Sequence, residues 1–166
     1  MNYILFDDKT WEDLRPLTFT RPLAELRTGI LTIKEKWDKH LTTNCSFLTK
    51  DYLAIKYPVI IKDTNYLING TLLPDNELLA AIKDLSLNTV LVDNETLLAA
   101  YCDQEHTVNA SNLQNLEKIS YTKPYLKINK AWDIFKLNGE AMLRDFKLLT
   151  KGRTSQPISD TNKVLS

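Results

Sequence analysis

The sequence predicts a single α/β domain: a mostly parallel sheet of about five to seven strands, helices on both faces, and one antiparallel hairpin. Three observations lead there. Short apolar runs, too short for helices, occur at Asn2–Phe6, Cys45–Leu48, Val59–Ile61 and Asn65–Ile68. Between and after them come stretches of helical period, and the C-terminal ends of the first and last runs are marked by Asp7-Asp8 and Asn69-Gly70. The 166 residues, 43% apolar and 25% charged, suffice for one hydrophobic core and no more.

Taken in order, the first run ends in two carboxylates, placing Asp7 and Asp8 beyond the carboxyl end of a buried strand. Open α/β sheets bind ligands there, so these residues either hold a Mg²⁺ ion or a sugar hydroxyl, or form an Asp-rich turn. Thr10 with Asp13 suits the start of a single helical turn, which Pro16 limits. Three of the five arginines, Arg15, Arg21 and Arg27, follow within thirteen residues. Their planar donor forks match phosphate, although Glu12, Asp13 and Glu25 are equally available as partners. Pro22 fits the first position of a helix, and Ile33, Trp37 and Leu41 define an amphipathic helix over about Leu31 to Leu41.

A turn of helix at Lys50–Lys56 and a helix over Asp75–Leu85 come next. The runs Thr89–Val92 and Thr96–Tyr101 flank the polar turn Asp93-Asn94-Glu95 as a hairpin, read as an edge ornament of the sheet in preference to a cover over a ligand cleft. Ser111–Ile119 reads as a short helix with Leu113 and Leu116 inward. Lys123 and Lys127 recur among Tyr121, Pro124 and Tyr125, a pattern that either holds a phosphorylated sugar or blunts a strand edge. Trp132–Leu149 is the longest periodic helix, with Phe135, Met142, Phe146 and Leu149 as its apolar side and Asp133 in its first turn. Residues 151–166 lose periodicity and read as a linker beyond a domain of residues 1–150.

Lysine plus arginine equals aspartate plus glutamate at 21 each, which argues against a nucleic-acid or acidic-membrane partner. Cys45 and Cys102 lack the spacing of a zinc site or a disulfide framework. No basic leader and no membrane-length apolar segment are present, so a cytoplasmic location is expected.

The segments RPLTFTRPLAELRTGILTIKEKW, YLINGTLLPDNELL and INKAWDIFKLNGEAMLRDF resemble sugar nucleotidyltransferases, which have a Rossmann-like fold. The resemblance is nearest to the N-terminal domain of chains similar to the bifunctional N-acetylglucosamine-1-phosphate uridyltransferase/acetyltransferase. It implies transfer of a nucleotidyl group (EC 2.7.7) from a nucleoside triphosphate to a sugar 1-phosphate, with Mg²⁺ as cofactor and UDP-N-acetylglucosamine as a candidate product, a cell-envelope precursor.

It also implies roles. Arg15 and Arg21 would act catalytically on phosphate; Arg27, Asn69, Gly70, Lys123, Lys127 and Asn129 would bind substrate; Asp7, Asp8 and Asp133 would hold metal. The chain departs from the family pattern in several respects: no glycine precedes Gly29, so the usual glycine-rich phosphate loop is replaced by Asp8-Lys9-Thr10-Trp11-Glu12-Asp13, and Thr71 follows Gly70 where the family has a metal-binding aspartate. Aligned on Pro16-Leu17-Thr18, the family's loop arginine falls on Asp13 and its later lysine on Leu23. The alternative is a non-catalytic module that binds a nucleotide sugar or supports a left-handed β-helix acyltransferase domain, through which trimers would form.

Overall fold

The computed structural model describes residues 1–108, 113 and 115–162. Its strands are β1 (Tyr3–Phe6), β2 (Ser46–Leu48), β3 (Thr64–Asn69), β4 (Leu72–Leu73), β5 (Thr89–Asp93), β6 (Thr96–Asp103), β7 (Glu117–Ser120) and β8 (Leu126–Lys127). The helices are α1 (Thr10–Asp13), α2 (Ile33–Leu41), α3 (Asp51–Ala54), α4 (Asn76–Lys83), α5 (Gln104–Val108) and α6 (Ala131–Thr150). Six strands form the central sheet in the order β2-β1-β3-β6-β5-β7, and β4 pairs with β8 in a separate antiparallel ribbon. Only β6 runs against the others. The expected mostly parallel α/β architecture with a hairpin is therefore what forms.

β1 shows why. Tyr3, Ile4, Leu5 and Phe6 are all buried, because alternate side chains enter different cores. Tyr3 and Leu5 join Ile33, Trp37, Leu78 and Ile82 on one face, while Ile4 and Phe6 join Leu67, Val90 and Cys102 on the other. A strand covered on both faces must read as a continuous apolar run. The first face carries α2 and α4. The second carries α5, whose Thr107 hydroxyl accepts a hydrogen bond of 3.0 Å from buried Asn65 of β3.

Caps set the helix boundaries. Thr32 and Glu35 form a reciprocal capping box at α2, and Asp75 accepts the Leu78 N–H at α4.

Four expectations are corrected. Pro22 opens a single 3-10 turn, Leu23–Glu25, in place of a helix. Val59–Ile61 makes no ladder, since the Ile60 N–H and carbonyl are taken by the side chains of Ser46 and Asn2. The β5–β6 hairpin is no edge ornament: β6 lies between β3 and β5, so its Ala99 and Ala100 are wholly buried. Glu117–Ser120 is strand, pairing in parallel with β5, where a helix over Ser111–Ile119 is expected; residues 109–112 and 114 lie outside the described residues.

α6 shows the largest difference. The expected apolar side is the outward one: Phe135 is 82% exposed and Phe146 60%, whereas Ala141 and Asp145 face inward. Polar contacts hold the inner face. Asp145 accepts the N–H groups of Ile30 and Leu31 at 2.8 and 3.0 Å and pairs with the buried Lys36 ammonium. Asn138 accepts the Gly29 N–H at 2.8 Å. Gly29 has φ +79°, and a Cβ there would lie 2.7 Å from an Asp145 oxygen, so both conformation and space require glycine.

Two predictions follow from this anchoring. Asp145→Ala strips a buried ammonium and two N–H groups of their partner, so urea unfolding should show a loss of about 3–5 kcal/mol. Residues 151–162 are exposed and bonded only locally. Truncation after Thr150 should therefore move the thermal midpoint by less than about 2 °C.

Candidate functional site

β1, β3 and β5 run in the same direction, so Asp7-Asp8, Asn69-Gly70 and the turn Asp93-Asn94-Glu95 all emerge at one end of the sheet. Asn94 takes the left-handed conformation (φ 51°) that a tight hairpin turn demands. A cleft of about 980 Å³ opens there, bordered by Asp8, Lys9, Glu95, Thr96 and Lys127. A second hollow of about 480 Å³ adjoins it through Thr96 and Lys127, and reaches Asn129, Asp133 and Lys136. Together they have the size of a site for a nucleotide or sugar phosphate.

Asp8 is the hub. Its Oδ2 accepts from the Asn69 side-chain amide at 2.8 Å and from Lys127 Nζ at 3.4 Å, and its Oδ1 accepts the Thr10 N–H at 2.8 Å. Burial pushes the Asp8 carboxyl up, but the hydrogen bonds from Asn69 and Thr10 and the charge of Lys127 outweigh it, leaving the group below its ordinary value. Asn69 is fully buried and spans the sheet end: it also donates to the Leu97 carbonyl, and its Oδ1 accepts the Thr71 N–H and hydroxyl. Lys127 reaches Asp8 because β8 pairs with β4, setting Lys127 opposite Leu72 just after the Asn69-Gly70-Thr71 turn. Tyr125, two residues earlier, donates at 2.8 Å to Asp93 at the hairpin turn and so ties it to β8. Burial and this bond to a carboxylate push the Tyr125 phenol up to about 12.

The structure thus brings Asp8, Lys127, Asn129 and Asp133 to the two adjoining hollows, with buried Asn69 bonded to Asp8. Asp133 is engaged as a helix cap, accepting the N–H groups of Asn129 and Lys130 at 3.0 and 2.9 Å. Other expected site residues lie apart. Asp7 points inward, accepting the Leu23 N–H at 2.9 Å and the Thr49 hydroxyl at 2.5 Å. Gly70 is a close-packing residue, for a Cβ there would come within 3.1 Å of the Phe6 carbonyl oxygen. Lys123 pairs with Glu77 beside α4. Arg15 pairs with Glu12, Arg27 pairs with Glu35, and Arg21 is exposed; none of the three borders either hollow.

Lys9, Glu95, Thr96 and Lys136 are cleft residues that the sequence reading passed over. The hairpin held the signal for two of them: its polar turn ends a strand parallel to β1. Lys136 lies three residues beyond Asp133 on the same helix.

A family model of sugar nucleotidyl transferases matches residues 3–154. The chain belongs to that family. No curated protein sequence matches it. A solved structure from Bacillus anthracis, described as a glucose-1-phosphate thymidylyltransferase in complex with sucrose, is similar in fold, with a TM-score of 0.52 at 12% identity, over 86% of this chain and 95% of that one. As a sugar nucleotidyl transferase the chain has a cleft where the fold predicts one, at the carboxyl ends of the parallel strands. The loop that follows β1 in this family member is closed by its own packing. Trp11, Leu14 and Thr18 are buried in it, and the Thr18 hydroxyl bonds the Trp11 carbonyl at 2.7 Å.

Asp7 also makes stability depend on pH. Burial raises its carboxyl from the ordinary 3.8 to about 6, against the opposing bonds from Thr49 and Leu23. A carboxyl raised in the folded state gives stability that is fully present below pH 3.8 and is lost as pH climbs through 6. The difference is on the order of 3 kcal/mol. Asp7→Asn keeps an oxygen for Leu23 and an amide for Thr49 but cannot ionise. Urea titrations from pH 4 to 7.5 should show the variant gaining on the parent across that window; parallel curves would refute the assignment.

Proposed function

We propose that this sugar nucleotidyl transferase joins a nucleoside triphosphate to a sugar 1-phosphate in the cleft between β1, the β5–β6 turn and α6, releasing pyrophosphate. The observation that carries the reading is the Asp8–Lys127–Asn69 network, a cation and a carboxylate held by buried amide contacts at the open end of the sheet. In the reaction an oxygen of the sugar phosphate forms a bond to the α-phosphorus as the bond to the β-phosphate oxygen breaks, and pyrophosphate leaves with the electron pair. Such chemistry needs alignment and neutralisation of negative charge more than covalent help. Lys127, Lys9 and Lys136 supply the positive charge, the part the resemblance would give to Arg15 and Arg21. Asn129 and Thr96 offer hydrogen bonds to the sugar or its phosphate.

The donor set fits a Mg²⁺ ion bound by one or two carboxylates and completed by substrate phosphates. Asp8 and Glu95 border the same cleft, whereas no group of three acidic, histidine or cysteine residues gathers among the described residues. Bound there, Mg²⁺ would supply charge neutralisation at the phosphates. Asp7 and Asp133, whose oxygens already serve backbone or hydroxyl donors, fit that part less well. We take UTP and N-acetylglucosamine 1-phosphate as the first pair to assay, on the sequence resemblance alone. Residues 151–166 are proposed as the linker of this unit.

Pyrophosphate release over a panel of triphosphates and sugar 1-phosphates with Mg²⁺ tests the proposal. Turnover is expected, and Lys127→Ala should lower kcat by about 10²–10³-fold with the fold intact by circular dichroism. Calorimetric binding of nucleotide sugar without turnover by any pair would instead establish a non-catalytic binding module. Full activity in Lys127→Ala would remove this cleft from the chemistry.

A further inference from the structure

α6 carries apolar residues on both sides: Ala131, Ile134, Leu137 and Ala141 pack on the core, and a second apolar face points outward. Asn138 and Asp145 face the domain, while Trp132, Phe135, Met142, Leu143 and Phe146 are 66, 82, 46, 66 and 60% exposed. The outward residues are not scattered. Trp132, Phe135, Gly139, Met142 and Phe146 are spaced 3-4-3-4, the seam of a helix that pairs with another helix, with exposed Leu143 flanking it and half-buried Leu149 continuing it.

Gly139 adds an independent observation. It sits in the middle of the twenty-residue helix, where glycine costs roughly 1 kcal/mol relative to alanine. Among the described residues nothing outside its own helix backbone requires it, because a Cβ placed there meets no such atom within 4 Å. A glycine that its own fold does not need, at the centre of an apolar seam, marks a place where a second helix comes close.

We propose that α6 is a homodimer interface, in which two copies of the chain pack their α6 helices antiparallel about a two-fold axis. The seam is self-complementary in that arrangement. Trp132 falls opposite Leu149 of the second copy, Phe135 opposite Phe146, and Gly139 opposite Met142, so the bulky thioether enters the space the glycine leaves. A two-fold contact requires this reciprocity.

The area suffices. A fully exposed aromatic side chain offers about 150–250 Å². Scaled by their exposures, the three aromatics with Met142 and Leu143 present roughly 600 Å² per copy, hence about 1,200 Å² in all, at the lower edge of specific interfaces. Asp133 and Lys136, on the same helix, border the substrate cleft, so the pairing would stiffen one wall of that cleft without entering it.

Sedimentation velocity on the 166-residue chain, from about 1 to 100 µM, tests the proposal. The expected result is a concentration-dependent shift from 19.1 kDa to twice that mass. Phe146→Glu and Gly139→Trp both change only the outward face, and both should remain at the monomer mass while keeping the parent's circular dichroism and a cooperative thermal transition whose midpoint no longer depends on concentration. Met142→Cys combined with Gly139→Cys should form an intermolecular disulfide, with Cys45 and Cys102 buried and out of reach. A parent that stays monomeric at 100 µM overturns the proposal, as does a dimer that survives both substitutions. A monomer that co-sediments with phosphatidylcholine–phosphatidylglycerol vesicles overturns it in favour of a lipid surface.

Discussion

One buried carboxylate holds the last third of the chain to the first. Asp145, 2% exposed, accepts two backbone N–H groups from the Gly29 turn and the ammonium of Lys36, itself 3% exposed. Burial alone pulls the Lys36 ammonium down, and the bond and charge of Asp145 oppose that pull without fully cancelling it. Such a pair is weak evidence for net stability, since two desolvated charges roughly offset their mutual attraction. What it supplies is position. With α6 fixed at Asp145, Asn138 and the Thr28 hydroxyl, Asp133 and Lys136 in its first turns line the hollow beside Thr96 and Lys127.

The alternation of strand and helix was legible because β1 and β3 are covered on both faces and so carry uninterrupted apolar runs. The end of the sheet was legible too, since polar residues follow those runs at Asp7 and Asn69. The orientation of α6 was not. Its sequence contains two candidate inner faces, and period analysis selects the one with the larger apolar residues. The true inner face contains Asn138 and Asp145, whose partners at Gly29, Ile30 and Lys36 lie over one hundred residues away. Lys127 and Lys123 look alike locally. Only the pairing of β8 with β4 separates them, carrying one to Asp8 and leaving the other beside Glu77.

The arginine-rich stretch shows a different limit. Arginine clustering suggested an anion site, but Arg15 and Arg27 pair with carboxylates on the adjoining helices, and Trp11, Leu14 and Thr18 of the same stretch are buried. A phosphate loop built on glycine presents open backbone amides to a ligand. Here the loop after β1 fills itself with side chains, so positive charge reaches the cleft from lysines on three separate elements.

The place of the β5–β6 hairpin has a consequence for the cleft. Its strands are fixed by ladders on both sides, while the turn Asp93-Asn94-Glu95 stands at the rim of the cleft, tied to Tyr125 through Asp93. Asn94 bonds its neighbour Asp93, so exchange at Asn94 leaves the buried ladder of the sheet in place, whereas Asp93 is held to Tyr125. The rim of the cleft can therefore change at Asn94 while the interior that carries it stays the same.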